Sequence, residues 1–174
     1  SLPIHIHIHE TADEVRDSLK QYGVRPLERL AQLGLLGPNF IGVHAIHVND
    51  AEIELLAQHG CHVAHCPSAG LKLASGIAPV ATLIAAGVNL GFGTDGAASN
   101  NRLDLLAEMR LAALLAKGAS GDAAALPAAA ALKAATLGAA RALNLDSQIG
   151  SIVPGKRADL VAVDLRTLSS QPVF

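Results

Sequence analysis

Four short apolar segments each close on a side chain able to bind a metal ion or move a proton. They run from Pro3 to Glu10, from Phe40 to His47, from His62 to Pro67 and from Asn89 to Gly96. In the first, His5, His7 and His9 alternate with Ile4, Ile6 and Ile8, and Glu10 follows. One strand histidine is more often structural than functional. Three at period two with a carboxylate just beyond them are a different matter. His7-x-x-Glu10 sets an imidazole at the mouth of a strand and a carboxylate on the loop after it. In the fourth segment Asp95 lies between Gly93 and Gly96, where a backbone without side chains lets a ligand approach. His and Asp around an open coordination position suit hydrolytic zinc or iron chemistry.

The elements that must hold these groups alternate along the chain. Strands are expected at about 2–9, 39–47, 61–66 and 88–94, with the isoleucines of the first on one face and all three histidines on the other. Thr11 as N-cap and Glu14 three residues later form a capping-box pattern, and Gly23 ends that helix. Pro26 opens a second helix that Gly34 stops, and Asn49 or Asp50 caps a third over 51–58. Further helices are expected from Pro79 to Ala86, from Asp104 to about Lys117, and from about Pro127 to Leu143. In the last of these, Leu132, Leu137 and Leu143 are read as the packing stripe. Strands that end in chemistry and are followed by helices read as consecutive β/α units of a barrel. After Leu145 the sequence turns Gly- and Pro-rich, with a short apolar strand expected at 160–163. The expected division is therefore a partial barrel at 1–145 and the entry to a small β unit at 146–174.

Composition narrows the function. The chain has 174 residues, 51% hydrophobic but only 2% aromatic, no Trp and a net charge of −2. The core must be aliphatic, and no basic stripe suits nucleic acid or a membrane surface. No apolar run reaches the roughly 20 residues that span a bilayer. Cys61 and Cys66 fall on opposite faces of one strand, so two buried free thiols and a cytoplasmic setting are expected. The chain begins and ends inside apparent strands, which reads as a piece of a longer polypeptide.

The segments 93–101 (Gly-Thr-Asp-Gly-Ala-Ala-Ser-Asn-Asn), 65–68 (His-Cys-Pro-Ser) with 71–76, 5–11 and 150–160 together resemble the amidohydrolase superfamily. More narrowly, they resemble its 5-methylthioadenosine/S-adenosylhomocysteine deaminases and chlorohydrolase-type relatives. The resemblance runs over the whole chain in family order. It implies an α/β fold: the C-terminal half of a distorted (β/α)8 barrel, strands 5 to 8, plus the start of a β-sandwich. It also implies one divalent metal, zinc, with iron or manganese as alternatives. His7 and Asp95 are similar to the ligands of the fifth and eighth strands, and the first-strand His-x-His pair is absent. An assignment of His5 and His7 to that pair is disfavoured because Glu10 follows them.

By the same resemblance Glu10 shuttles protons between water and the substrate ring, and His44 hydrogen-bonds the attacking hydroxide or the developing tetrahedral oxygen. Asp95 relays a proton to leaving ammonia. Glu10, His44 and Ser99 are the implied substrate contacts, with Ser99 and Asn100 otherwise read as caps of the helix that follows. His65 is placed near the pocket as support, and His47, His59 and His62 are read as structural or solvent-facing. The implied partner is a small nucleoside, with no nucleic acid or membrane, and the complete enzyme is expected to be a homo-oligomer. Other expectations are guanine deamination, triazine dechlorination, or a non-catalytic β/α module. Ala69, Gly70 and the missing Asn-Gly after Thr136 depart from the family pattern.

Overall fold

A computed structural model of the chain describes residues 2–164 and 166. Four strands, β1 (Ile4–Ile8), β2 (Phe40–His44), β3 (His62–His65) and β4 (Asn89–Phe92), form one parallel sheet in chain order. Parallel neighbours need a crossover, and helices supply it each time. After β1 come α1 (Ala12–Tyr22) and α2 (Pro26–Gln32); α3 (Asp50–Gln58) follows β2. Helices α4 (Pro67–Lys72) and α5 (Val80–Ala85) follow β3. Beyond β4 lie α6 (Ala97–Asn100), α7 (Leu105–Ser120), α8 (Ala128–Lys133) and α9 (Ala139–Ala142), the last two joined by a π-helical turn over Ala134–Gly138.

The register assigns the two faces. His5, Ile41, His62 and Asn89 stand in one row, and His7, Val43, Ala64 and Gly91 in the next. Alternation puts Ile8, Phe40, Val63 and Leu90 on the opposite face. There they meet Leu27, Leu56, Leu83 and Ala112 from the helices in the main apolar core. Phe40, Leu27, Leu56 and Leu83 are all fully buried, each worth about 1.5–3 kcal/mol against exposure. The histidine-bearing face keeps only a small cluster of Val43, Cys66 and Ala69. Above it lies a cleft of about 290 Å³.

Helix starts and stops follow the expected chemistry. Thr11 accepts a hydrogen bond from the Glu14 amide, and Gly23 ends α1 at φ 74°. Asn49, rather than Asp50, caps α3 in a full capping box with Glu52. The departure at Gly70 has a steric reason: a Cβ there would lie 3.0 Å from the Gly76 carbonyl oxygen and 3.2 Å from Ile46. Both cysteines are free and buried.

The C-terminal helix does not pack through its leucines. Leu132 and Leu143 are more than half exposed, whereas Ala131, Ala134, Ala140 and Ala142 are buried. Small residues win because the helix must press against β4: a Cβ on Gly138 would come within 2.3 Å of the Leu90 carbonyl oxygen. The π turn also shifts the helical register, so one leucine stripe cannot stay on one face. The strand expected at 160–163 is not formed; Leu160, Val161 and Val163 are exposed and in no regular element. A strand requires a partner to accept its hydrogen bonds, and among the described residues none pairs with this segment. The rest of the tail, including Val173 and Phe174, lies outside the described residues. Among the described residues no helix is long and apolar enough to cross a membrane.

Candidate active site

The chemistry gathers at the C-terminal ends of the strands, where the backbone repeatedly leaves the extended region. His9 (φ 54°), His44 (φ 73°), Ala45 (φ 50°) and Asp95 (φ 58°) all adopt left-handed conformations without being glycine. Such residues cost on the order of 1–3 kcal/mol each and persist only where their surroundings fix them.

At the end of β1 this twist corrects the expected alternation. His5 and His7 line the cleft, but His9 turns away, and its ring is completely buried on the helix side. Its Nε2 lies 3.1 Å from Glu52 Oε1 and equally close to the Leu27 amide. Nε2 serves one of them at a time: unprotonated it accepts from the Leu27 amide, and protonated it donates to Glu52, which can only accept. Arg25 donates from Nε and Nη2 to the same carboxylate, both at 2.9 Å. Burial pushes Glu52 up, but His9, Arg25 and the Asn49 amide outweigh it and hold the carboxyl at about 2. Arg25 also donates to the His47 carbonyl, while the His9 carbonyl accepts from the amides of Ile46 and His47. One buried clamp thus fixes the ends of β1 and β2 together.

Glu14 adds a second restraint. Its carboxylate accepts from the His9 and Glu10 amides, both at 2.8 Å, reaching past the capping residue. The expected capping box is therefore half made, with the carboxylate used to anchor Glu10 instead.

These restraints bring four of the expected residues to one place. His7, His44 and Asp95 each offer a ligand atom, all within 4.8 Å of one another. The rings of His7 and His44 stack at 5.1 Å between centroids, and Glu10 Oε1 lies 3.7 Å from His44 Nε2. His44 is buried, which lowers its pKa; Glu10 and Asp95 oppose that and His7 reinforces it. Its Nδ1 is buried without a hydrogen-bond partner. Burial pushes the Asp95 carboxyl up, but the Ser99 hydroxyl, the Gly96 amide, His44 and His7 together bring it below its usual value. Two imidazoles, one of them kept neutral by burial, and one ionised carboxylate form a donor set that fits a divalent ion such as zinc.

Ser99 reaches the site through Asp95, donating from Oγ to Oδ2 at 2.8 Å. Asn100 donates to the Thr94 carbonyl at 2.8 Å. Neither caps α7: Asp104 does so, accepting from Leu106 and Ala107. His65 is buried beside Phe92, its pKa lowered to about 4 by burial and by His44. The rings of His47, His59 and His62 bond backbone carbonyls of Ser75, Leu55 and Pro38. Sequence reasoning missed Arg25, Glu52 and Glu108. Their only signal is charge at positions where a helix turns toward the core, visible once the packing face is known.

The amidohydrolase family model matches residues 1–174. The chain is 51% identical over 170 residues to the 5-methylthioadenosine/S-adenosylhomocysteine deaminase of Teredinibacter turnerae, covering 98% of this chain and 38% of that protein. Among solved structures, an adenosine deaminase from Xanthomonas campestris with bound zinc superposes with a TM-score of 0.96 at 56% identity, covering 98% of this chain and 39% of that one. The atrazine chlorohydrolase of Arthrobacter aurescens, complexed with zinc, gives 0.92 at 30% identity over 99% of this chain and 38% of that one. The chain thus spans about two fifths of the length of these relatives. A parallel β/α sheet with His7, His44 and Asp95 converging at its strand ends, and a family match from end to end, make this chain a member of the amidohydrolase family.

Proposed function

We propose that this chain is the C-terminal half of a metal-dependent aminohydrolase barrel that deaminates an adenosine-type nucleoside, 5′-methylthioadenosine or S-adenosylhomocysteine. In this reading β1 to β4 are strands 5 to 8 of the barrel, and residues 146–174 lead into the β-sandwich. The observation that carries it is the convergence of His7, His44 and Asp95 beside Glu10 at one rim of the sheet. The relatives' names, two of them deaminases of adenosine-type compounds, support the substrate class. A small nucleoside as partner, a homo-oligomer as the complete assembly and a cytoplasmic setting belong to the same proposal.

His7 and Asp95 would hold the metal, with a His-x-His pair outside this chain completing the set. A divalent ion held there would supply acidification of water near neutral pH. The chain's own residues do the rest. Glu10, its amide pinned by Glu14, carries one proton of the attacking water to the ring nitrogen beside the reacting carbon. His44, neutral and buried, hydrogen-bonds the oxygen that adds to the ring carbon as that carbon becomes tetrahedral. Asp95 takes the other proton of the water and passes it to the amino group, which departs as ammonia when its bond to the ring carbon breaks, while Ser99 orients the second carboxylate oxygen.

The test is ammonia release from methylthioadenosine, S-adenosylhomocysteine, adenosine, guanine and cytosine by the polypeptide that joins this chain to strands ending in His-x-His. Fastest release from the two thioethers, with loss of roughly 100-fold or more in E10Q, supports the proposal. Preference for guanine moves the substrate to a purine base, and silence on all five sinks it. Zinc titration of the 174-residue chain alone should show at most weak binding. Tight one-to-one binding would mean that the metal ligands are not shared with a missing half.

A further inference from the structure

Glu108 lies on α7, away from the residues assigned above, and is 1% exposed. It has no cationic partner among the described residues. A buried carboxylate in that position is costly, and the next two turns of the same face use Ala112 and Ala116. Packing therefore gives no reason for a carboxylate. Hydrogen bonding does. Glu108 Oε2 accepts from the Ser68 amide at 3.0 Å, and Oε1 accepts from Asn100 Nδ2 at 2.8 Å.

Ser68 follows the end of β3, and Asn100 follows Asp95. One side chain thus ties the first turn of α4, after β3, to the last residue of α6, after β4. Asn100 passes the restraint on: Nδ2 also donates to the Thr94 carbonyl, and Oδ1 accepts from the amides of Arg102 and Leu103. The loop needs such support, because Asp95, Asn101 and Leu103 are all left-handed. Lys72 spans the outer side of the same loop, donating to Ala98 O and Asn101 Oδ1.

We propose that Glu108 is a positioning residue for the Asp95 carboxylate, acting through Asn100 and the Thr94 carbonyl. The catalytic consequence rests on the deaminase reading; the mechanical relay does not. In E108Q the amide can accept from Ser68 only by turning its NH2 toward the Asn100 NH2, so one contact is lost. In N100D/E108Q the new amide donates to the new carboxylate, restoring that contact. The bond to the Thr94 carbonyl is lost in that variant, since a carboxylate cannot donate.

The experiment compares these two variants with the parent, in the polypeptide that completes the barrel. Melting temperature, kcat and KM for the preferred nucleoside are measured. E108Q should lower kcat on the order of 100-fold, as expected for a reacting group displaced by about 1 Å. KM should stay within about threefold if ground-state binding is unaffected. N100D/E108Q, which remakes the contact to residue 108 but not the one to Thr94, should recover neither the melting temperature nor kcat. Recovery of both, or a loss of kcat no greater than the loss of folded protein, overturns the proposal.

Amide exchange on the 174-residue chain separates this proposal from the activity on which it builds. E108Q should speed exchange across residues 95–101 about tenfold, the effect of losing one hydrogen bond of about 1.4 kcal/mol, with α7 unchanged. If the completed polypeptide deaminates nothing, that localised effect still upholds the relay, and a uniform rise along the chain rejects it.

Discussion

The strand ends that form the site are held in two different ways. At β1 and β2 the left-handed turns at His9, His44 and Ala45 are locked by a buried ionic cluster of His9, Glu52 and Arg25, with Glu14 on the adjoining amides. At β4 the left-handed turn at Asp95 is held by neutral donors, Ser99, the Gly96 amide and Asn100. The ionic side fixes the buried His44, whose position sets the donor geometry. The neutral side leaves Asp95 partly exposed and free of any Lys or Arg within ion-pair distance among the described residues. A cation beside Asp95 would compete with a metal for its charge, so the neutral restraint keeps the carboxylate available. The site therefore has one ionic wall and one neutral wall.

The largest effect that would break this comparison is loss of Glu52. E52A removes the acceptor for Arg25, His9 and the Asn49 amide at once and leaves a partly buried cation unpaired. The expected destabilisation is about 3–5 kcal/mol, read by urea unfolding of the chain. A loss below about 1 kcal/mol would mean that the clamp is solvated in solution and that the two walls do not differ.

The same carboxylate predicts how the two walls respond to acid. The Glu52 carboxyl lies at about 2 in the folded chain, below its ordinary 4.5. Its stabilisation is therefore complete above about pH 4.5 and is lost as pH falls toward 2, amounting to on the order of 3 kcal/mol. In E52Q the unfolding free energy should lose most of its slope between those pH values. An unchanged slope would assign acid sensitivity to other carboxylates.

Much of this was legible in the sequence, and the illegible part has a common cause. Strand positions followed from β-branched runs, and helix ends from Thr11, Asn49, Gly23 and Pro26, because those signals are local. His7, Glu10 and Asp95 stood out by their spacing and flanking glycines, and His44 only through the family resemblance. His9 was misplaced because alternation assumes an extended backbone, and its φ of 54° is imposed by contacts from α2 and α3. The leucines of the last helix misled for a similar reason: close approach to β4 selects small residues there, and a hydrophobic pattern cannot register closeness. Arg25, Glu52 and Glu108 are ordinary charges until a distant segment presents the matching group.

The smallest effect tests the neutral wall. S99A deletes the hydroxyl that donates to Asp95 Oδ2 at 2.8 Å. Stability should fall by no more than about 1 kcal/mol, since the bond is partly solvated. The Asp95 carboxyl should nevertheless move up, because the hydroxyl is one of the donors that hold it down. Carbon-13 detection of the Asp95 carboxyl across a pH series reads that shift directly, and S99T, which retains a hydroxyl, should show less of it. A shift in S99A without change at Glu52 would establish that the two walls respond independently. Movement of both carboxyls together would mean that the site is a single mechanical unit, with Asp95 as firmly held as the buried clamp.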